Sequence, residues 1–182
     1  MKENKTIAYV GGANLHQGVK SLDWNLDYAR FRIWLTEKYN VDIAYLFIGL
    51  IPKYKDLYTY LQKAGFTLVF KEVVYDGNGK AKGNCDADLI VQAMKDSYEE
   101  KTVKSILVSS DGDYTQLVKF WQNRGQIQVI LSPAPPKKCS ILLKRTEIKI
   151  VYLDDKKNVL GYKNEKTPDG DEHRKGPFRS EH

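Results

Sequence analysis

The sequence predicts a three-layer α/β fold, with a central, mainly parallel sheet and helices on both faces. Three observations carry this. Short apolar runs alternate with stretches of helical periodicity along the 182 residues, the order that builds βαβ units. Several runs, such as Ile106-Leu107-Val108, are continuously apolar, as strands buried on both faces must be. Hydrophobic residues make up 42% of the chain, enough to cover both sides of such a sheet.

In chain order, strands are expected at 7–10, 41–50, 66–75, 105–109, 126–132 and 147–153. Between them, Tyr28, Phe31 and Leu35 recur at i, i+3 and i+7, and Leu57, Leu61 and Ala64 at i, i+4 and i+7, each marking the apolar stripe of a helix. Gly65 supplies a C-terminal cap for the second of these. A further helix is read at 86–100, with Leu89, Ala93 and Met94 inward, and another at 114–123, with Leu117, Phe120 and Trp121 inward and Gly125 at its end. Asp76-Gly77-Asn78-Gly79 begins like a calcium loop but lacks the later ligands and closing glutamate, so it reads as a tight turn. Beyond Leu153 the chain becomes polar and carries Pro168, Gly170, Gly176 and Pro177. The expected organisation is one domain at 1–153 and a flexible tail at 154–182.

Several function classes are set aside. No run approaches the roughly 18 apolar residues of a membrane span, and MKENKTIAYV lacks the features of a signal peptide, so a cytoplasmic protein is expected. Cys85 and Cys139 form no CxxC pair, the three histidines show no ligand spacing, and no serine or cysteine has a recognisable triad partner. Neither a GxxxxGK[ST] loop nor a GxGxxG fingerprint is present. The formal charge of +6 favours a polyanionic partner.

In an open parallel sheet the ligand site lies beyond the carboxyl ends of the strands. The first strand runs into Gly11-Gly12-Ala13-Asn14-Leu15 and the fourth into Ser110-Asp111-Gly112-Asp113-Tyr114. Asp111 and Asp113, with a glycine between them, would raise two carboxylates at the top of a central strand, which suits a hard cation such as magnesium. A lone aspartate there would read as a helix cap; Ser-Asp-Gly-Asp at a strand terminus is more specific. A third acidic element, Lys82-Gly83-Asn84-Cys85-Asp86-Ala87-Asp88, opens the helix before the fourth strand. Residues two apart on a helix face nearly opposite ways, and Asp86 is chosen as the inward one.

Together the blocks IAYVGGANL, KGNCDADL and LVSSDGDYTQLV resemble the NYN family, a branch of the PIN-like metal-dependent nucleases, over residues 7–153. The resemblance implies the Rossmann-like PIN/NYN form of the α/β fold and nominates Asn14, Asp86, Asp111 and Asp113. It leads to an aspartate at position 11, where this chain has glycine. That difference reads equally as lost activity, an engineered inactivation or a change tolerated in a subgroup. Gln92 is a second, milder departure, on a helical turn where many relatives are acidic.

The resemblance implies hydrolysis of phosphodiester bonds by an endonuclease, with RNA favoured over DNA. Asp86, Asp111 and Asp113 would hold magnesium or manganese, and Asn14 would orient a ligand or phosphate. Carboxylates gathered within a few ångströms repel one another, a cost that a bound dication relieves. Lys53 and Lys55 after the second strand, and Lys137 and Lys138 after the fifth, are candidate substrate contacts. The alternative is an inactive nucleic-acid-binding module of the same fold, for which Gly11 is the main support. The oligomeric state is left open, a homodimer included.

Overall fold

The computed structural model describes residues 5–75, 77–78, 81–99 and 102–163. Its strands are β1 (Lys5–Gly11), β2 (Ile43–Leu50), β3 (Thr67–Glu72), β4 (Val74–Tyr75), β5 (Ala81–Lys82), β6 (Thr102–Val108), β7 (Ile127–Ser132) and β8 (Ile150–Tyr152). Six of them form one sheet in the order β3-β2-β1-β6-β7-β8, and β4 and β5 form a separate antiparallel ribbon. Every pairing in the large sheet is parallel.

The chain winds outward from β1 to β3 on one side and from β6 to β8 on the other. The winding therefore reverses between β1 and β6, where Val10 pairs with Val108 near the carboxyl ends. Such a reversal leaves a crevice above the sheet, because the two following loops depart in opposite directions.

The helices are α1 (Gly12–Lys20), α2 (Tyr28–Tyr39), α3 (Lys55–Lys63), α4 (Asp86–Tyr98), α5 (Thr115–Asn123), α6 (Ile141–Lys144) and α7 (Lys157–Leu160). Strand side chains alternate between faces, and that alternation sorts the core into two layers. Ala8 and Val10 of β1 pack with Leu15, Phe31, Leu35, Leu61 and Leu160. Ile7 and Tyr9 pack on the other face with Leu89, Ala93, Leu117, Val118 and Trp121. The three-layer fold is thus the one the sequence predicts.

Local boundaries differ for physical reasons. β2 starts at Ile43 rather than 41, because Asn40 ends α2 at φ 55° and the Val41 amide still donates back to the Leu35 carbonyl. The strand expected at 66–75 is divided, since β4 leaves the sheet to pair with β5. The strand expected at 147–153 shrinks to β8, with Glu147 at φ 61° outside the extended region. Of the tight turn at 76–79, Gly77 and Asn78 form a turn, and Asp76 and Gly79 lie outside the described residues.

Three helices escape the sequence reading, one of them α6, a single turn capped by the Ser140 hydroxyl. α1 begins at once after β1, in a segment to which the sequence reading assigned no helix; Leu15 and Val19, one turn apart, bury its inner side. α7 falls in the segment assigned to a flexible tail. Its Leu160 is fully buried, the Leu160 carbonyl accepts from the Asp27 amide at 2.9 Å, and the Arg30 guanidinium donates to the Gly161 carbonyl at 2.8 Å. Residues 154–163 are thus packed on the domain, and 164–182 lie outside the described residues. No described helix is long and apolar enough to cross a membrane.

Candidate metal centre

The crevice between β1 and β6 collects acidic side chains from two separate segments. β6 ends at Val108, and the buried Ser109 then accepts a hydrogen bond at its Oγ from the Asp111 amide, at 3.1 Å. Asp111 in turn accepts at Oδ1 from the Asp113 amide at 3.0 Å, capping a 3-10 turn at Gly112–Tyr114. The capping role of a helix-start aspartate is therefore real at Asp111, and it engages one oxygen of the carboxylate.

At the start of α4 the division of labour differs. Asn84 Oδ1 accepts from the Asp86 amide at 2.8 Å, which leaves the Asp86 side chain free of capping. Asp86 turns to the crevice instead and accepts at Oδ1 from the buried Tyr114 hydroxyl. Asp88, two residues on, pairs with Lys71 at 3.0 Å. One oxygen each from Asp86, Asp111 and Asp113 can be chosen so that all lie within 4.8 Å of one another. Asp86 and Asp111 are half-buried and Asp113 is exposed, so the cluster opens to solvent. An all-oxygen carboxylate set of this size matches what a hard dication such as magnesium or manganese accepts, with water or phosphate filling its other positions.

Asn14 stands in the first turn of α1 and spans the crevice. Its Oδ1 accepts from both the Ser110 amide, at 3.0 Å, and the Ser110 hydroxyl, at 3.1 Å. It thereby pins the start of the acidic turn to the end of β1. Gly11, beside it, has φ −73° and ψ 101°, a conformation open to any L-residue. A Cβ there would lie 3.6 Å from the Tyr114 hydroxyl oxygen, 3.8 Å from Asn14 Cβ and 3.9 Å from the Val108 carbonyl oxygen. All three are ordinary van der Waals distances.

The profile of the NYN domain family matches residues 5–154. The chain belongs to the NYN domain family. This NYN domain is also similar to a crystal structure of a protein of unknown function from Vibrio parahaemolyticus, with a TM-score of 0.66 and 23% identity over 85% of this chain and 96% of that one. That likeness speaks to the fold. Among curated proteins no match is found. Membership places the chain among nuclease-like domains, and the acidic cluster is a candidate metal site.

The loop after β7 closes one wall of the NYN crevice. A Cβ on Gly18 would come within 2.6 Å of Pro133 Cβ, so the bare backbone of α1 is what lets this loop seat. At its other end the Ser140 amide donates to the Ser110 carbonyl at 3.1 Å, and a Cβ on Gly112 would run into Ser140 Oγ. Lys137 and Lys138 ride on this doubly anchored loop and are exposed. Lys53 and Lys55 are exposed too, at the carboxyl end of β2 beside β1. The Lys53 ammonium lies 4.9 Å from the centre of the Tyr54 ring. All four lysines stand on loops or helix starts around the sheet edge and outside the carboxylate cluster.

Neighbouring titratable groups favour their uncharged forms. Burial, then the charge of Lys20, lowers His16 to about 4, so it is a neutral imidazole near pH 7. Burial, then Asp88 and Asp86, pushes the Cys85 thiol up to about 12, which makes it a poor nucleophile. Burial first, then the hydrogen bond to Asp86, raises Tyr114 well above an ordinary phenol.

At Gln92 the carboxamide nitrogen donates to Asp96 Oδ1 at 2.9 Å, and Tyr9 donates to Asp96 Oδ2 at 3.0 Å. The acidic group near this turn is therefore buried in the core rather than facing the crevice. Sequence reasoning missed Tyr114, which reads simply as the first residue of the next helix. Its position directly after the second aspartate of the acidic turn was the available signal.

Proposed function

We propose that this NYN domain is an endonuclease that hydrolyses phosphodiester bonds of RNA in preference to DNA, with magnesium or manganese held by Asp86, Asp111 and Asp113. The observation that carries the reading is the convergence of three carboxylates from α4 and the β6 turn at the reversal of strand order. A dication held there would supply the positive charge that a phosphodiester needs as it develops negative charge, and would lower the pKa of an attacking water.

The chain's own groups have separate tasks. Tyr114 fixes the Asp86 carboxylate, Ser109 and the Asp113 amide fix Asp111, and Asn14 holds the acidic turn against β1. Lys137 and Lys138 offer positive charge to the flanking phosphates, which raises affinity without reading sequence.

Gly11 favours a second reading, an RNA-binding module that no longer cleaves, because one carboxylate fewer weakens the attraction for a dication. The two readings separate in one experiment. Labelled single-stranded and structured RNA, and DNA, are incubated with the protein in magnesium, manganese or EDTA. Cleavage that requires the metal and disappears in Asp111→Asn is the expected result. Metal-independent binding with no cleavage under any condition would leave the module as the function.

A further inference from the structure

We propose that the Tyr114 hydroxyl, which holds Asp86 and lies beside the side-chain position of Gly11, makes positions 11 and 114 a coupled pair in setting metal affinity. The inference rests on the metal-site reading above and names the residue that positions Asp86 within it.

The backbone does not demand glycine at 11, and a side chain has room to start there. The nearest heavy atom to that side chain is the Tyr114 hydroxyl oxygen, 3.6 Å from the Cβ position. The oxygens of an aspartate at 11 lie two bonds beyond that Cβ, which brings them within hydrogen-bonding reach of the same phenol. A phenol has one proton to donate, and Asp86 already receives it. Tyr114 cannot swing aside, since its ring is 1% exposed and packed with the core layer around Leu117 and Leu89.

The residue at 11 also sets the charge of the site. Three carboxylates and a neutral donor replace the four carboxylates that an aspartate at 11 would give. Repulsion in the cation-free protein falls, and so does the pull on a dication. Restoring aspartate at 11 alone therefore makes two carboxylates compete for one phenol proton, and the loser faces the oxygen's lone pairs. Removing that oxygen as well lets the new carboxylate turn to the cation.

The test is a double-variant cycle on the full chain, with manganese affinity measured by calorimetry for the wild type, Gly11→Asp, Tyr114→Phe and the double variant. The expected result is that the double variant binds manganese more tightly than the product of the single effects by at least about threefold, as contacting residues couple. RNA cleavage rates should rise in the same order. Phenylalanine keeps the buried ring, so a purely structural role for Tyr114 would leave the cycle additive. If the four-carboxylate protein unfolds in EDTA, Gly11→Asn replaces Gly11→Asp, and its amide oxygen should show coupling of the same sign. An additive cycle, with wild-type binding that Asp111→Asn removes, would overturn the coupling and leave the metal site standing. Absence of both manganese binding and cleavage in all four proteins would overturn the metal site and the coupling together.

Discussion

Asp86 and Asp111 are chemically identical side chains divided differently between holding the fold and holding a ligand. Asp111 caps the turn that bears it, so Asp111→Ala should destabilise the protein by about 1 kcal/mol as well as abolish manganese binding. Asp86 is relieved of capping by Asn84, so Asp86→Asn should lower manganese affinity while shifting the urea midpoint far less. Urea titrations in EDTA beside calorimetry of the metal check both.

His16 gives a pH prediction. Its pKa falls from 6.5 unfolded to about 4 folded, so the stability that comes from its neutral form is complete above pH 6.5. Protonation of the unfolded state removes that stability progressively as pH falls toward 4. The loss is on the order of 3 kcal/mol. His16→Gln should flatten the urea-derived stability profile across this window relative to wild type. At this scale the sequence showed which residue types sit at strand ends. It could not show that Tyr114 lies against Asp86, because that contact joins residues 28 positions apart.

Among the elements, α1 and α7 were hidden for opposite reasons. α1 is written with glycines that propensity counts against, yet Gly18 is there for the close approach of Pro133. Gly18→Ala should therefore cost about 1–3 kcal/mol through overpacking, even though alanine is the better helix former. α7 is only one turn long and its apolar content is small, so no periodicity announces it. Leu160→Ala should nonetheless cost about 2–5 kcal/mol, because that side chain is fully buried. Thermal or urea unfolding distinguishes these outcomes from the near-neutral effect expected of a loose tail. The strands were more legible, since a parallel strand covered on both faces must be apolar throughout. Their ends were not, because left-handed residues such as Asn40 and Glu147 terminate regular structure without a glycine to mark them.

For the molecule as a whole, the alternation of strands and helices made the layered fold readable, and the strand-end motifs made the acidic crevice readable. The order of strands in the sheet lay beyond the pattern, although it is what brings β1 beside β6. With a net charge of +6, RNA affinity should fall linearly with log salt. Replacing Lys137 and Lys138 together by glutamate should reduce the magnitude of that slope by at least one to two while leaving manganese affinity nearly unchanged, as fluorescence anisotropy across a salt series would show.

The central pairing of β1 with β6 has a temporal consequence during synthesis. Gly11 and Asp113 leave the ribosome about a hundred residues apart, an interval of roughly 5–20 seconds at ordinary elongation rates. Until β6 and its following turn emerge, the growing polypeptide lacks Asp111 and Asp113, two of the three carboxylates of the cluster. On the function proposed above, the transcript being translated therefore meets no assembled carboxylate cluster until the turn after β6 has been made.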